Sequence, residues 1–119
     1  MADPAEDPVS KLVNAILLGA LKKRATEVAI RPVDGQFVVD FLIDGVEHRE
    51  MEPEAVLRGP IVRRIGVMAS VPYYRKGESG LGEIRLVIGD HREARFAVRL
   101  EGHGDAAAAY VRILFDSAA

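Results

Sequence analysis

The sequence predicts an α+β domain with a single antiparallel six-stranded sheet, in the order helix, three strands, helix, three strands. Two aspartate–glycine pairs, Asp34-Gly35 and Asp44-Gly45, separate three apolar, alternating runs between Thr26 and Met51. Such pairs are the strongest short-range signal for β-hairpins. A helical apolar stripe precedes this region, and a second helical region and three more alternating segments follow it. We expect both helices to cover one face of the sheet.

The composition is that of one folded domain. The chain has 119 residues, of which 49% are hydrophobic and 29% charged, with a net charge of -2 and no cysteine. This length can bury a core without disulfides, and the lack of cysteine excludes thiolate catalysis and cysteine-bound metals. The charge provides no overall attraction to nucleic acid or to an anionic membrane. The apolar runs, Ala15 to Leu18 among them, are too short to span a bilayer, so we expect a cytoplasmic protein.

The first helix is expected from Pro8 to about Arg24. It begins a domain that covers residues 8–116. Residues 1–7 are acidic and are expected to form a disordered lead-in to this domain. Asp7 is a favourable N-cap, and proline suits the first helical position. One face of the helix is apolar and should pack on the sheet; it consists of Val9, Leu12, Val13, Ile16, Leu17 and Ala20. Leu18 lies opposite this face and is a candidate contact residue.

The middle strand of the first three has two distinct faces, because side chains alternate along a strand. The face expected in the core consists of Phe37, Val39, Phe41 and Ile43. The opposite face consists of Val38, Asp40 and Leu42.

The second helical region is predicted as a short turn from Pro53 to Arg58, followed by a helix from Pro60 to Ser70, because proline interrupts a helix interior. Its sheet-covering face is Leu57, Ile61, Ile65 and Met68. Residues 71–81 contain a proline and two glycines and are typical of a mobile loop. The last three strands are predicted at residues 82–88, 93–100 and about 108–115. Their inward side chains are Ile84, Leu86, Ile88, Ala94, Phe96, Val98, Leu100, Val111, Ile113 and Phe115.

No catalytic or metal-binding constellation is apparent. The histidines, His48, His91 and His103, have no partner at ligand spacing, and no serine lies in a nucleophile elbow. The stretch 76–82 is rich in glycine, but a strand follows it, whereas a phosphate-binding loop leads into a helix. We therefore expect no enzymatic activity, no cofactor and no metal.

A group of outward-facing arginines is the one candidate site. Three of them project from neighbouring strands, opposite the apolar face, and a fourth joins them if the strand register allows: Arg85, Arg95, Arg99 and Arg112. Because Glu83 and Glu93 are interleaved, cross-strand ion pairs on a solvated face explain the pattern. The alternative is a docking surface for a protein, centred on Arg95 and Arg99. Leu18 and Arg64 are further candidate contacts. The mixed charges and the lack of an aromatic platform disfavour nucleic acid.

Four stretches of the chain together suggest a family, in their order and spacing: PVSKLVNAILLGALKKRATEVAIRP, FLIDGVEHREM, IVRRIGVMAS and YVRILFD. With these stretches, the chain from Pro8 to about Asp116 resembles the second amino-terminal domain of secretion-type ATPases, the hexameric motors of type II secretion and type IV pilus assembly. The family shows a valine-rich opening helix, an "arginine-isoleucine-aspartate-glycine" turn, a helix that ends in methionine-alanine and a closing "arginine-x-leucine". The resemblance implies a PAS-like α+β fold.

Two departures from the family concern nucleotide binding. The family's "proline-glutamine-aspartate-glycine-arginine" signature corresponds to residues 79–83, which places Glu83 where the family has arginine. A second family arginine, which reaches nucleotide at the neighbouring motor domain, corresponds to Ala97; Arg95 or Arg99 could replace it only with a register shift. The family's ATPase core would begin just beyond Asp116, three residues before the last residue of this sequence. The resemblance thus implies a retained fold with altered nucleotide-facing residues.

The leading hypothesis is a free-standing, non-catalytic protein-interaction module. It would dock on a secretion or pilus motor component, or on a regulator of one. The first alternative is a PAS-like sensor that binds a small molecule or nucleotide between sheet and helix; the lack of a convergent polar group on the inner face disfavours it. The second alternative is a fragment of a full-length motor ATPase, which Glu83 in place of the arginine disfavours.

Overall fold

The computed structural model describes residues 7–89 and 92–116, and the side chains up to residue 114. Its helices and strands are α1 (Pro8–Lys22), β1 (Glu27–Val33), β2 (Gln36–Ile43), β3 (Val46–Met51), α2 (Arg58–Met68), β4 (Ser79–Ile88), β5 (Arg92–Glu101) and β6 (Ala108–Asp116). Short 3-10 turns at Ala55–Leu57 and Gly104–Ala106 precede α2 and β6. Within the described residues, no helix is long and apolar enough to cross a membrane.

The six strands form one antiparallel sheet in the order β3-β2-β1-β6-β5-β4. Each set of three consecutive strands stays together, and the sets join where β1 pairs with β6, with Val28 opposite Val111. This arrangement confirms the predicted α+β fold and its element order.

Both predicted hairpin turns are present. The φ angles are 49° at Asp34, 80° at Gly35, 51° at Asp44 and 78° at Gly45. Two successive left-handed residues are typical of the type I′ turn, whose twist matches that of the flanking strands. The turns therefore set the register of the first three strands.

The core lies between the two helices and one face of the sheet. Its side chains form one cluster to which both helices and five of the strands contribute; the members include Val13, Ile16, Leu17, Ile61, Ile65, Val28, Ile30, Phe37, Val39, Phe41, Ile84, Phe96, Val98 and Val111, all at most 3% exposed. The predicted inward residues of β2, β4, β5 and β6 belong to this cluster or pack against it. Phe115 was predicted inward as well, but its side chain lies outside the described residues.

The ends of several elements differ from the prediction. α1 ends at Lys22 because Arg24 adopts a left-handed conformation with a φ of 58°. α2 begins at Arg58, so Pro60 is the third residue of the helix rather than the first. Proline is tolerated there, because the first N–H groups of a helix have no intrahelical partner. At the start of α1, Asp7 caps as predicted and accepts a hydrogen bond from the Val9 N–H at 3.1 Å.

The predicted loop of residues 71–81 is shorter than expected, because β4 begins at Ser79. Two contacts anchor what remains of it: the Tyr74 hydroxyl donates to the Gly102 carbonyl at 2.9 Å, and the Tyr74 ring stacks on His103. Partial burial raises the pKa of Tyr74, which keeps its hydroxyl a donor. A Cβ at Gly82 would overlap with the Ala69 carbonyl, so this glycine allows the end of α2 to pass close to the strand.

Candidate partner-binding surface

The face of the sheet opposite α1 and α2 holds the predicted arginines. Arg85 lies directly opposite Arg95 on the neighbouring strand, and Arg99 lies four residue pairs further along the same ladder. The register of β5 with β6 places Arg112 opposite Ala97, so Arg112 joins the other three. We call this surface, with Arg85, Arg95, Arg99 and Arg112, the arginine face.

Three of these arginines have a carboxylate partner within the chain. Arg95 Nε lies 2.5 Å from a Glu83 oxygen, Arg85 Nε lies 3.3 Å from a Glu93 oxygen, and Arg99 Nε lies 3.4 Å from a Glu101 oxygen. The hydrogen bond from Arg95 lowers the pKa of Glu83 below its usual value. The first two are the cross-strand pairs that the solvated-face explanation predicts. All three are exposed pairs, so solvent screens them and each contributes little to stability.

Arg99 and Arg112 flank a depression of about 250 Å³ that also includes Tyr110 and Glu27. The Arg99 guanidinium carbon lies 4.7 Å from the centre of the Tyr110 ring, a cation–π geometry. Arg112 is exposed, and among the described residues no acidic group lies within ion-pair distance of it. Sequence reasoning missed Tyr110, although the inward position of Val111 implies that its neighbours point outward.

The other half of this sheet face is closed by an ion-pair cluster around Asp40. Arg49 Nε donates to an Asp40 oxygen at 2.5 Å, and a terminal nitrogen of Arg31 lies 3.5 Å from the other oxygen. The hydrogen bond to Asp40 raises the pKa of Arg49. Asp40 is only 5% exposed, and Val38, opposite Arg31, is fully buried. The sequence correctly placed both on this face but did not indicate their burial.

Leu18 and Arg64 lie elsewhere. Leu18 is 41% exposed on α1, beside Ile88 at the end of β4. Arg64 lies on α2, and its Nε is buried without a hydrogen-bond partner among the described residues. Both residues are on helices that pack on the opposite face of the sheet from Arg85, Arg95 and Arg99. The five candidate contact residues therefore do not form one surface.

The two positions that the resemblance assigns to nucleotide-facing arginines are neighbours in the structure. Glu83 pairs directly with Ala97 across β4 and β5, on the arginine face. In this chain the pair consists of a carboxylate, which is bound by Arg95, and a methyl group. Among the described residues, no group of three histidine, cysteine, aspartate or glutamate side chains could hold a metal ion. His48 and His103 are exposed, and His91 lies outside the described residues.

Comparison with known proteins supplies the family. The family model described as "Type II/IV secretion system protein" matches residues 3–109. The chain is 40% identical over 99 residues to the type IV pilus assembly ATPase PilB of Myxococcus xanthus, an alignment that covers 82% of this chain and 18% of that protein. It is 33% identical over 89 residues to type II secretion system protein E of Pseudomonas aeruginosa (75% of this chain, 18% of that protein). It is 35% identical over 82 residues to a putative type II secretion system protein E of Escherichia coli (69% of this chain, 17% of that protein).

The chain thus spans less than a fifth of the length of these three relatives. The family match, in contrast, extends over nearly the whole chain and includes both helices and five of the strands. This protein therefore belongs to the type II/IV secretion system protein family.

Proposed function

We propose that this chain is a non-catalytic protein-interaction module of a secretion or pilus-assembly system, which docks through its arginine face onto a motor component or a regulator of one. The observation that carries the proposal is the gathering of four arginines and Tyr110 on the sheet face opposite the two helices. Arginine and tyrosine are enriched among the residues that contribute most to protein interfaces.

The geometry suits an acidic partner surface. Arg95 and Arg99 are four residues apart in one strand, so their side chains leave the sheet about 13 Å from each other. That spacing fits two separate carboxylates on a protein rather than one small anion. A partner carboxylate can replace Glu83 or Glu101 at low cost, because the existing pairs are exposed and weak. Arg112 has no acidic group within ion-pair distance among the described side chains, so a carboxylate could bind it without such an exchange.

Charge reversal tests the proposal. The double variant Arg95→Glu plus Arg99→Glu should keep the melting temperature near that of the wild type and should abolish binding to the purified secretion or pilus motor of the same organism, measured by isothermal titration calorimetry. The matched control is Lys11→Glu plus Lys22→Glu, which changes the charge equally on exposed positions of α1. Wild-type affinity in the arginine variant would place the interface elsewhere. A rate of ATP hydrolysis by the purified chain above background would refute the non-catalytic role.

A second candidate is a domain of a motor ATPase. The observation that favours it is that every relative named above is several times longer than the aligned segment. In that case the arginine face would pack against another domain of the same assembly. An immunoblot of cells of the source organism, with an antibody raised against this chain, distinguishes the two: a single band at the size of this chain favours the free-standing module.

The PAS-like sensor is less well supported. Such a sensor needs space for its ligand between sheet and helices. In the described structure this layer is filled by side chains at most 2% exposed, which include Ile16, Leu17, Ile65 and Phe96.

A further inference from the structure

The outer side of α2 carries an exposed stripe that nothing among the described residues covers. Val56, Pro60, Arg63 and Val67 follow one another at intervals of three or four residues, so they share one side of the helix and of the turn that leads into it. Val56 is 74% exposed and Val67 62%, and Tyr73, just beyond the helix, is 86% exposed. Ile61 and Ile65 occupy the buried side of α2.

A largely apolar groove of about 310 Å³ runs beside this stripe. It is lined by Arg63 and Val67 of α2 and by Tyr73 and Tyr74 of the segment that follows the helix. Gly66 and Leu100 line it as well, and Gly66 leaves space there because it has no side chain; a Cβ at this position would lie 3.0 Å from the end of the Leu100 side chain. The groove is thus open to an apolar side chain that arrives from outside.

Tyr74, one of the two tyrosines that line the groove, is held in place before any partner binds. Tyr74 donates its hydroxyl to the Gly102 carbonyl, and its ring lies 4.7 Å from that of His103 in a stacked arrangement. A preformed wall lowers the entropic cost of binding.

Two arginines that have no ion-pair partner within the described part of the chain lie at this surface. Arg63 lines both the groove and an adjacent depression of about 260 Å³, which also includes Arg64. Neither arginine has an acidic group within ion-pair distance among the described residues, and Arg64 Nε is buried without a hydrogen-bond partner. Asp7 is the one acidic residue of the described part of the chain that lines the depression, and it accepts a hydrogen bond at the start of α1. A partner group that complements the positive charge of this surface is therefore a carboxylate.

We propose that this surface, the α2 groove, defined by Arg63, Gly66, Val67, Tyr73 and Tyr74, binds an acidic amphipathic helix of a partner protein. An apolar side chain of that helix enters over Gly66, between Val67 and Tyr74, and a neighbouring carboxylate pairs with Arg63. Helix-in-groove recognition of this kind depends on apolar anchors at one helix face with charged flanks. Because α2 packs on the opposite face of the sheet, the α2 groove and the arginine face can be occupied at the same time.

The probe is a designed amidated peptide of about 14 residues, with leucines along one helix face and glutamates beside them. Titrated into the 15N-labelled full chain, it should shift amide signals within residues 59–74 and 100–103. The same peptide with lysine in place of glutamate should leave the spectrum unchanged. No saturable shift, shifts confined to the outward residues of β4, β5 and β6, or equal binding of the lysine peptide would overturn the proposal.

Two exposed substitutions test the contacts. Arg63→Glu and Val67→Asp should each weaken binding of the glutamate peptide by on the order of ten-fold. The control is Val87→Asp, a valine of similar exposure (67%, against 62% for Val67) on the helix-free face of the sheet, which should leave the affinity unchanged. The spectrum of each variant reports whether it is folded. Wild-type affinity in both α2 variants would refute the site.

The peptide experiment distinguishes a failure of the α2 groove proposal from a failure of the arginine-face proposal. The double variant Arg95→Glu plus Arg99→Glu should bind the glutamate peptide with wild-type affinity, whether or not it binds the motor. Loss of peptide binding in that variant would overturn the assignment of the peptide to the α2 groove.

Discussion

Alanine in place of Gly19 should stabilise this protein, whereas the same substitution at Gly66 should not. Both glycines lie inside helices, Gly19 in α1 and Gly66 in α2. Neither has a positive φ angle, so an alanine fits either backbone. Replacing glycine with alanine in a helix interior contributes about 0.8–1.0 kcal/mol of helix propensity. The difference between the two sites comes from what the new methyl group meets.

At Gly19 the added Cβ would lie 3.7 and 3.8 Å from two ring atoms of Phe41, which is ordinary van der Waals contact. The gain in propensity should therefore survive, and we expect a stabilisation of about 1 kcal/mol. At Gly66 the Cβ would lie 3.0 Å from Cδ1 of Leu100, a side chain that is only 5% exposed. Overpacking a core costs about 1–3 kcal/mol, which offsets the gain or exceeds it.

Urea denaturation followed by far-UV circular dichroism measures both variants, and the slope of each transition shows whether the unfolded state has changed. Gly82→Ala is a third variant for comparison, because its Cβ would overlap with the Ala69 carbonyl oxygen. This is a backbone atom, which cannot move away by a side-chain rotation. We expect that variant to lose at least about 2 kcal/mol. A destabilised Gly19→Ala, or a Gly66→Ala more stable than Gly19→Ala, would refute the packing described for Phe41 and Leu100.

Two further predictions concern the core and the arginine face. Phe41→Ala should cost about 3–5 kcal/mol in the free energy of unfolding, because Phe41 is 3% exposed within the main cluster; a loss below about 1 kcal/mol in urea denaturation would contradict its place in the core. Glu83 should titrate below its usual pKa, because Arg95 stabilises its charged form. A lowered folded-state pKa means that this ion pair stabilises the protein above the unfolded pKa, about 4.3, and that the contribution is lost as the pH falls through the folded value. Carbon-detected NMR titration should show the lowered pKa in the wild type and a return towards the usual value in Arg95→Gln; an ordinary pKa in the wild type would rule out the pair.

Local residue patterns suffice for the hairpins and for the faces of the strands. The Asp34-Gly35 and Asp44-Gly45 turns follow from the backbone preferences of two adjacent residues. The N-cap at Asp7 likewise depends on residues within one helical turn. Alternation predicts that Phe37 and Phe41 share a face, because that depends only on the period of a strand.

The boundaries that differ from prediction have two causes, an ambiguous local pattern at α2 and a contact with distant residues at β4. Pro60 was expected to begin α2, but Arg58 begins it, because proline is equally compatible with any position in the first turn. β4 begins three residues before its predicted start at Gly82, and its first residues lie against the segment after α2, where Gly80 leaves room for Val71 and Tyr74. No local sequence pattern in β4 predicts that contact.

The candidate sites depend even more on tertiary structure. Alternation placed Asp40 on the helix-free face, but its burial requires Arg31 and Arg49 from two other strands. Arg112 joins the arginine face because β6 lies between β1 and β5 in one register. The α2 groove has walls from α2 and from the segment that follows it, with Leu100 of β5 beneath. The period of a strand or helix predicts the face to which a side chain points. The residues that the side chain then contacts are distant in the sequence, because these packing contacts form only when distant segments meet.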